Sequence, residues 1–257
     1  MSESPAESPS SDVLWDALRY IIVAIASGIL IWYYFFYTPI NYVSRVHTGK
    51  TMEIDYIVKV PRFPELTDWN KIAVAIQDRL DGLEQNMSAE DRLTISNEVA
   101  SIVQESLVVI DHADVAKGFA VDCVAELLEE QKIADYFIEI DGRVRCKGKK
   151  NKEKDWLVGI EKPASESSNE FSGLQQVVPL NNQCLVTQRT GLSDEVASVT
   201  VIAETCVRAD AWATALLALG APKGTELARQ HGIAVLFLLR SGSETVEVPS
   251  QHWQHRQ

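Results

Sequence analysis

The longest apolar stretch lies near the start of the chain. From Tyr20 to Ser44 no residue is charged, and IIVAIASGILIWYYFFY within it is almost wholly apolar. At 1.5 Å of rise per residue, about 20 residues cross a hydrocarbon core of about 30 Å. The pattern predicts one transmembrane helix over 18–40. Trp32, Tyr33, Tyr34, Phe35, Phe36 and Tyr37 gather at its C-terminal end, where amphipathic rings favour the headgroup level. Pro39 then stops the helix. A cleaved signal peptide is the competing reading. The acidic start (Glu3, Glu7, Asp12, Asp16), the length of the run and the lack of a small-x-small site after it count against that. Residues 1–17, rich in Ser, Glu and Pro, are expected to be disordered.

Beyond the anchor the pattern alternates between the strand and helix periods. HTGKTMEIDYIVKVP (47–61) carries Ile54, Tyr56, Val58 and Val60 at period two and predicts a strand ended by proline. Thr67 or Asp68 is expected to cap a helix with Ile72, Ile76, Leu80 and Leu83 on one face. Residues 94–106 predict a short helix, and SLVVID (106–111) a buried strand. Gly118 precedes an amphipathic helix in which Ala120, Cys123, Val124, Leu127 and Leu128 share a face. YFIEI and RVRCK flank Asp141-Gly142 and predict a hairpin. DWLVGIE (155–161), VVPL, CLV and ASVTVIA (197–203) read as strands, and 162–175 as a loop. RADAWATALLALG (208–220) is an apolar helix stopped by Gly220 and Pro222. A further helix ends at Gly232, and IAVLFLLR (233–240) is a continuous apolar run, hence a central strand. The QHWQHRQ end reads as a flexible tail, 249–257.

Composition narrows the functions. The net charge is −12, with no basic stripe to offset it, which argues against general nucleic-acid binding. Four cysteines (Cys123, Cys146, Cys184, Cys206) lack CxxC spacing and read as buried thiols rather than zinc ligands or a disulfide framework. The five histidines form no HExxH pattern. About two hundred residues follow the anchor, enough for one sizeable core.

Two stretches break the pattern of an ordinary core. In DHADVAKGFAVD (111–122) a strand runs through a turn into a helix, where backbone N–H groups and the positive dipole end collect. Lys117 adds a point charge there, and Asp111 and Asp114 are placed to face a metal or a ribose. The bland alternative is a connection with solvated charges. In RADAWATALLALG, Asp210 and Thr214 lie four apart on one helical face. A carboxylate plus a hydroxyl suits Mg²⁺, a hard cation that keeps waters and borrows ligands from a phosphate. Equally, Asp210 reads as an acid favoured by the helix dipole, and Thr214 as bonding back to a carbonyl.

Taken in order, these segments resemble the ApbE-type FAD:protein FMN transferases. TGKTMEIDYIVKV is similar to that family's T-M-G-T strand, and AIQDRLDGLEQNMS to its first helix. IDHADVAKGFAVDCVAELL resembles D-L-G-G-I-A-K-G-Y-A-V-D. DGRVRCKG followed by WLVGIEKP resembles G-G-D-I-R-x-x-G and W-x-V-G-I-E-x-P. RTG and ASVTVIAETCVRADAWATALLALG resemble the closing metal-binding segment. The ordered matches run from Thr48 to Arg240.

The resemblance implies an α+β, ApbE-like domain over 46–248, preceded by the single transmembrane helix. It implies FAD as substrate and Mg²⁺ as cofactor, with FMN transferred to a threonine hydroxyl of an acceptor flavoprotein and AMP released. The acceptor expected is a subunit of a membrane redox complex. By motif position, Asp210 and Thr214 are side-chain metal ligands and Asp114 gives a backbone carbonyl. Asp111 and Lys117 contact FAD, and Met52 lies near the flavin. No catalytic residue is assigned. The side of the membrane is open: Arg45 and Lys50 against Arg19 mildly favour the cytoplasm, whereas the resemblance favours an extracytoplasmic domain. The chain also departs from the family. The stretch from Met52 to Asp111 is about half the usual length. T-M-G-T is Thr51-Met52-Glu53-Ile54 here, D-L-G-G is Asp111-His112-Ala113-Asp114, and G-G-D is Asp141-Gly142-Arg143. The family's H-I-I-D-P, bearing a candidate base, has no counterpart before Arg189-Thr190-Gly191. These losses leave an alternative: an ApbE-fold flavin-binding or interaction module that does not react.

Overall fold

The structure, a computed structural model, describes residues 23–29, 41–110, 112–151, 153–163, 173–190, 195–242 and 244–255, with side chains except those of 86 and 112–114. Residues 23–29 are helical. The rest of the expected membrane span, and the N-terminal segment before it, lie outside the described residues. Among the described residues no helix is long and apolar enough to cross a membrane. Residues from Tyr42 to Gln257 form a unit of their own.

In chain order that unit contains β1 (Tyr42–Thr51), β2 (Ile54–Pro64), α1 (Trp69–Asn86), α2 (Ala89–Ser106), α3 (His112–Glu130), β3 (Tyr136–Ile140), β4 (Arg143–Lys147), β5 (Trp156–Glu161) and β6 (Leu174–Leu180). There follow β7 (Gln183–Arg189), β8 (Val196–Ala203), α4 (Cys206–His231), β9 (Ala234–Ser241), β10 (Glu244–Pro249) and the short α5 (Gln251–Gln254). Eight strands make one sheet in the order β1-β2-β3-β4-β7-β8-β9-β10, while β5 and β6 pair as a separate hairpin. Every neighbouring pair is antiparallel. The fold is therefore α+β, as expected.

Strand alternation sends side chains to two faces, and each face has its own core. On one, Tyr56, Val58, Ile138 and Val186 pack with Ile76, Leu80, Val121 and Trp212 of the helices. On the other, Val144, Cys146, Leu185 and Leu236 meet Trp156, Ile160 and Leu180 of the β5–β6 hairpin and Trp253 of α5.

Several elements differ from the sequence expectations. The strand expected over 47–61 is two strands, because the chain turns at Met52 and Glu53, both at positive φ (52° and 61°). The helix expected over 94–106 starts earlier, at Ala89, where Ser88 and Asp91 form a reciprocal capping box. SLVVID is not a strand: Leu107 is the left-handed cap of α2, and Leu107 and Val109 are exposed. The helix expected to begin near Gly118 begins at His112, so Gly118 is interior to α3. Of the expected tail, residues 250–253 are docked rather than loose. Ser250 Oγ donates to the Ile233 carbonyl (2.8 Å) and accepts from Val235 N–H (3.0 Å), and Trp253 is buried. Cys184 and Cys206 form a disulfide, against the expectation of four thiols, while Cys123 and Cys146 are buried and free. The helix break at Gly220 is present: φ 72°, ψ 170° kinks α4 just before Pro222.

One strand explains how the site is held. The alternation of β4 buries Val144 and Cys146 against the hairpin layer. Its basic residues therefore face the helices, where each finds an acid. Arg143 pairs with Asp210 of α4 (3.1 Å), Arg145 with Asp122 of α3, and Lys147 with Glu129 of α3 (2.7 Å). Such a ladder fixes β4 against α3 and α4, because a buried charge left unpaired is expensive.

Candidate functional site

α3 and α4 cross at Gly118. A Cβ there would lie 2.6 Å from the Cys206 carbonyl oxygen and 3.0 Å from Asp210 Cβ. The missing side chain lets Gly118 N–H reach Asp210 Oδ2 at 3.1 Å. Gly118→Ala must push the helices apart, so a loss of about 1–3 kcal/mol is expected. Thermal unfolding checks this; an unchanged melting temperature would contradict the crossing.

Asp210 is fully buried at the floor of a cleft. Lys117, Asp141, Arg143, Thr187, Gln188, Arg189 and Thr214 line it, and its volume is about 500 Å³. Asp210 Oδ1 accepts from Arg143 Nη2 (3.1 Å) and Gln188 Nε2 (2.9 Å). Oδ2 accepts from Arg143 Nε (3.2 Å) and Gly118 N–H (3.1 Å). Thr214 Oγ1 donates to the Asp210 carbonyl (3.0 Å) and accepts from Gln188 Nε2 (2.8 Å). At the mouth, Asp141 Oδ2 lies 2.5 Å from Lys117 Nζ and 3.1 Å from Arg143 Nη1. Arg189 pairs with Glu161 (2.8 Å).

The structure thus brings together Lys117, Asp210 and Thr214 of the expected set. Asp111 lies outside the described residues. Asp114 lies on α3 one turn before Gly118, with its side chain outside the described atoms. Met52 sits in the β1–β2 turn, its N–H donating to Glu84 Oε2 (3.0 Å). Tyr56 is in register with Ile140, so the Met52-Glu53 and Asp141-Gly142 turns leave the sheet at the same end. β2 and β3, which the two turns flank, are neighbours in the sheet, one strand spacing of about 5 Å apart.

Mg²⁺ requires near-octahedral oxygens at about 2.0–2.1 Å. Asp210 offers none: a carboxylate has about four acceptor positions, and N–H donors occupy them all. Thr214 Oγ1 donates to the Asp210 carbonyl and accepts from Gln188, which leaves it a single lone pair. As arranged, these residues do not fit a divalent ion. Among the described residues, Asp122, Cys184 and Cys206 cluster at ligand distance, but the sulfurs are bonded to each other. Asp122 accepts from Arg145 and from the N–H groups of Cys206 (3.0 Å) and Val207 (2.9 Å) at the start of α4. Burial pushes its carboxyl above the usual range, and Arg145 and those N–H groups oppose the rise. Burial also pushes the Cys123 thiol up to about 12, which keeps it unreactive.

Arg143, Gln188 and Asp141 were not anticipated as site residues. The signal available was the alternation Arg143-Val144-Arg145-Cys146-Lys147. It leaves open which face meets water, and only the register resolves that.

An antiparallel sheet with helices on one face, and a cation-lined cleft over a buried carboxylate, defines an α+β domain with a polar ligand cleft. The chain belongs to the ApbE family, whose model matches residues 65–190 and 184–237. It is 31% identical over 176 residues to an FAD:protein FMN transferase of Haemophilus influenzae, covering 59% of this chain and 50% of that protein. It is 26% identical over 195 residues to the Escherichia coli K12 protein of the same name, covering 66% and 54%. The chain spans about half the length of these curated relatives. The fold is shared with flavin transferase ApbE from Vibrio cholerae: TM-score 0.73, 19% identity, 84% of this chain and 100% of that one. It is shared also with the apo flavinyl transferase ApbE of Pseudomonas stutzeri: TM-score 0.68, 20% identity, 83% and 96%.

Proposed function

We propose that the domain is a flavin transferase that takes FAD, attaches FMN to a threonine hydroxyl of an acceptor flavoprotein and releases AMP. The threonine oxygen attacks the FMN-side phosphorus, the bond to the AMP oxygen breaks, and the hydroxyl proton leaves to solvent or acceptor. The observation that carries this reading is the Lys117–Arg143 pair of cations in the cleft of an otherwise acidic chain. Preorganised cations stabilise the charge that develops on phosphoryl oxygens. Mg²⁺ on Asp210, Thr214 and the Asp114 carbonyl belongs to the family reading, but the Arg143 and Gln188 bonds stand against it, so no step is routed through a metal. The test incubates the chain with FAD and a candidate acceptor, then looks for covalent flavin fluorescence on a denaturing gel. A fluorescent acceptor band is expected.

A second reading, a flavin-binding module that does not transfer, is favoured by the missing H-I-I-D-P counterpart. General-base help is typically worth 10²–10⁴-fold. FAD binding without labelling of any acceptor would select it.

For location, the reading is a single-pass membrane protein with the domain on the oxidising, extracytoplasmic side, acting on a membrane redox-complex subunit. The apolar run at 18–40 supports the anchor. The Cys184–Cys206 disulfide supports the side, since disulfides persist in oxidising compartments. Thiol titration of the denatured, unreduced chain is expected to find only the two free cysteines, Cys123 and Cys146. Four reactive thiols before reduction would remove that support.

A further inference from the structure

The floor of the cleft already holds a cation. Arg143 forks onto both oxygens of Asp210, and Gln188 and Gly118 complete that carboxylate. Asp210 is fully buried and the Arg143 side chain is 11% exposed, so the pair is a built part of the cleft and not a surface contact. Arg143 turns its Nη1 outward, to the Asp141 carbonyl (2.7 Å) and to Asp141 Oδ2 (3.1 Å). Lys117 Nζ approaches the same Oδ2 at 2.5 Å. One carboxylate oxygen therefore bridges two cations at the mouth of the cleft, on a side chain that is 42% exposed. A phosphoryl oxygen carries the same charge and accepts the same charge-assisted bonds.

We infer that this cleft binds the diphosphate of a dinucleotide without a divalent metal. Arg143, anchored on Asp210, and Lys117 supply the positive charge, and the Asp141 carboxylate holds the phosphate oxygen's place until the ligand displaces it. The choice of FAD as that dinucleotide rests on the flavin-transferase reading; the metal-free anion site rests on the bonds above. Arg143 meets the ligand and Asp210 is a positioning residue that orients Arg143. Asp141 competes with the ligand, so its charge weakens binding.

The experiment titrates the purified full-length chain with FAD by flavin fluorescence, in excess EDTA and in millimolar Mg²⁺. The two dissociation constants are expected to agree within about two-fold, a difference small against the tenfold that 1.4 kcal/mol represents. Asp141→Asn is expected to bind about tenfold tighter in both buffers, and Arg143→Ala to bind at least about tenfold weaker in EDTA. Arg143→Lys keeps the charge but loses the fork, and is expected to fall between wild type and Arg143→Ala. Melting curves separate any loss of folding from loss of binding. Wild-type binding that needs Mg²⁺, or an Asp141→Asn variant no tighter than wild type, overturns the inference while leaving the flavin reading in place. If FAD binds in neither buffer the flavin reading fails, and inorganic pyrophosphate decides the site: saturable binding in EDTA supports it, and none overturns it.

Discussion

Asp122→Ala is expected to be the most damaging single substitution outside the apolar core. Its carboxylate takes the Arg145 guanidinium and the N–H groups of Cys206 and Val207. It therefore ties α3, β4 and the start of α4 together at one buried point. Removing it leaves Arg145 with the more distant Glu129 (3.9 Å) and deprives two N–H groups of a helix N-terminus of their acceptor. Breaking a buried ion pair costs about 3–5 kcal/mol. For a domain of this size each kcal/mol shifts the midpoint by about 2–4 °C, so a fall of at least about 6 °C is expected in a calorimetric melt. A shift of a degree or two would mean that Asp122 does not hold these elements.

The second large effect concerns Asp210 and has a distinctive signature. Asp210→Ala removes both oxygens that hold the Arg143 fork, leaving Arg143 its Asp141 bonds at the mouth and Gln188 its bond to Thr214. Both the stability and the aim of Arg143 into the cleft should suffer, with a loss again of about 3–5 kcal/mol. Replacing both partners, as Asp210→Ala with Arg143→Met, removes the guanidinium that has lost its buried partner as well as the pair. The double variant is expected to be more stable than Asp210→Ala alone, because residues in direct contact are not additive. Urea unfolding of the four proteins measures this. Equal losses summing across the two sites would show that the pair is not coupled and that the fork at the cleft floor is not formed in solution.

Much of this architecture is legible in the sequence, and the misses share a physical cause. Strands with strict alternation (YFIEI, DWLVGIE) and helices with capped apolar faces are where the pattern puts them, because one buried face dictates the period, while ASVTVIA, buried on both faces, is marked by its β-branched residues. The β1–β2 turn was invisible, since Met52-Glu53 carries none of the Gly, Asn or Asp that a turn with two positive φ values favours. SLVVI has strand composition, but its residues end a helix and two of them face outward. The docked Trp253 and the Cys184–Cys206 bond are long-range partnerships that no local pattern encodes. In the candidate site, Lys117, Asp210 and Thr214 were marked by residue type and spacing. Arg143 and Gln188 were not, because their part depends on strand register: β4 sits beside β7, which aligns Arg143 with Val186 and brings Gln188 over α4. The departure from G-G-D to Asp141-Gly142-Arg143 places the cation that occupies Asp210.

The most direct test of the central claim, that this cleft takes FAD, is a flavin-fluorescence titration of the full-length chain against its Lys117→Glu variant. Lys117 is a partly exposed side chain that pairs, among the described residues, with Asp141 at the mouth of the cleft, so the substitution should spare the fold while reversing a charge beside the diphosphate. The account predicts saturable FAD binding by the wild type and at least about a hundredfold weakening in the variant, the loss of about 3 kcal/mol that an unfavourable charge contact can exact. Equal binding by the two proteins would place FAD elsewhere, and no saturable binding by the wild type would contradict the flavin-transferase account itself.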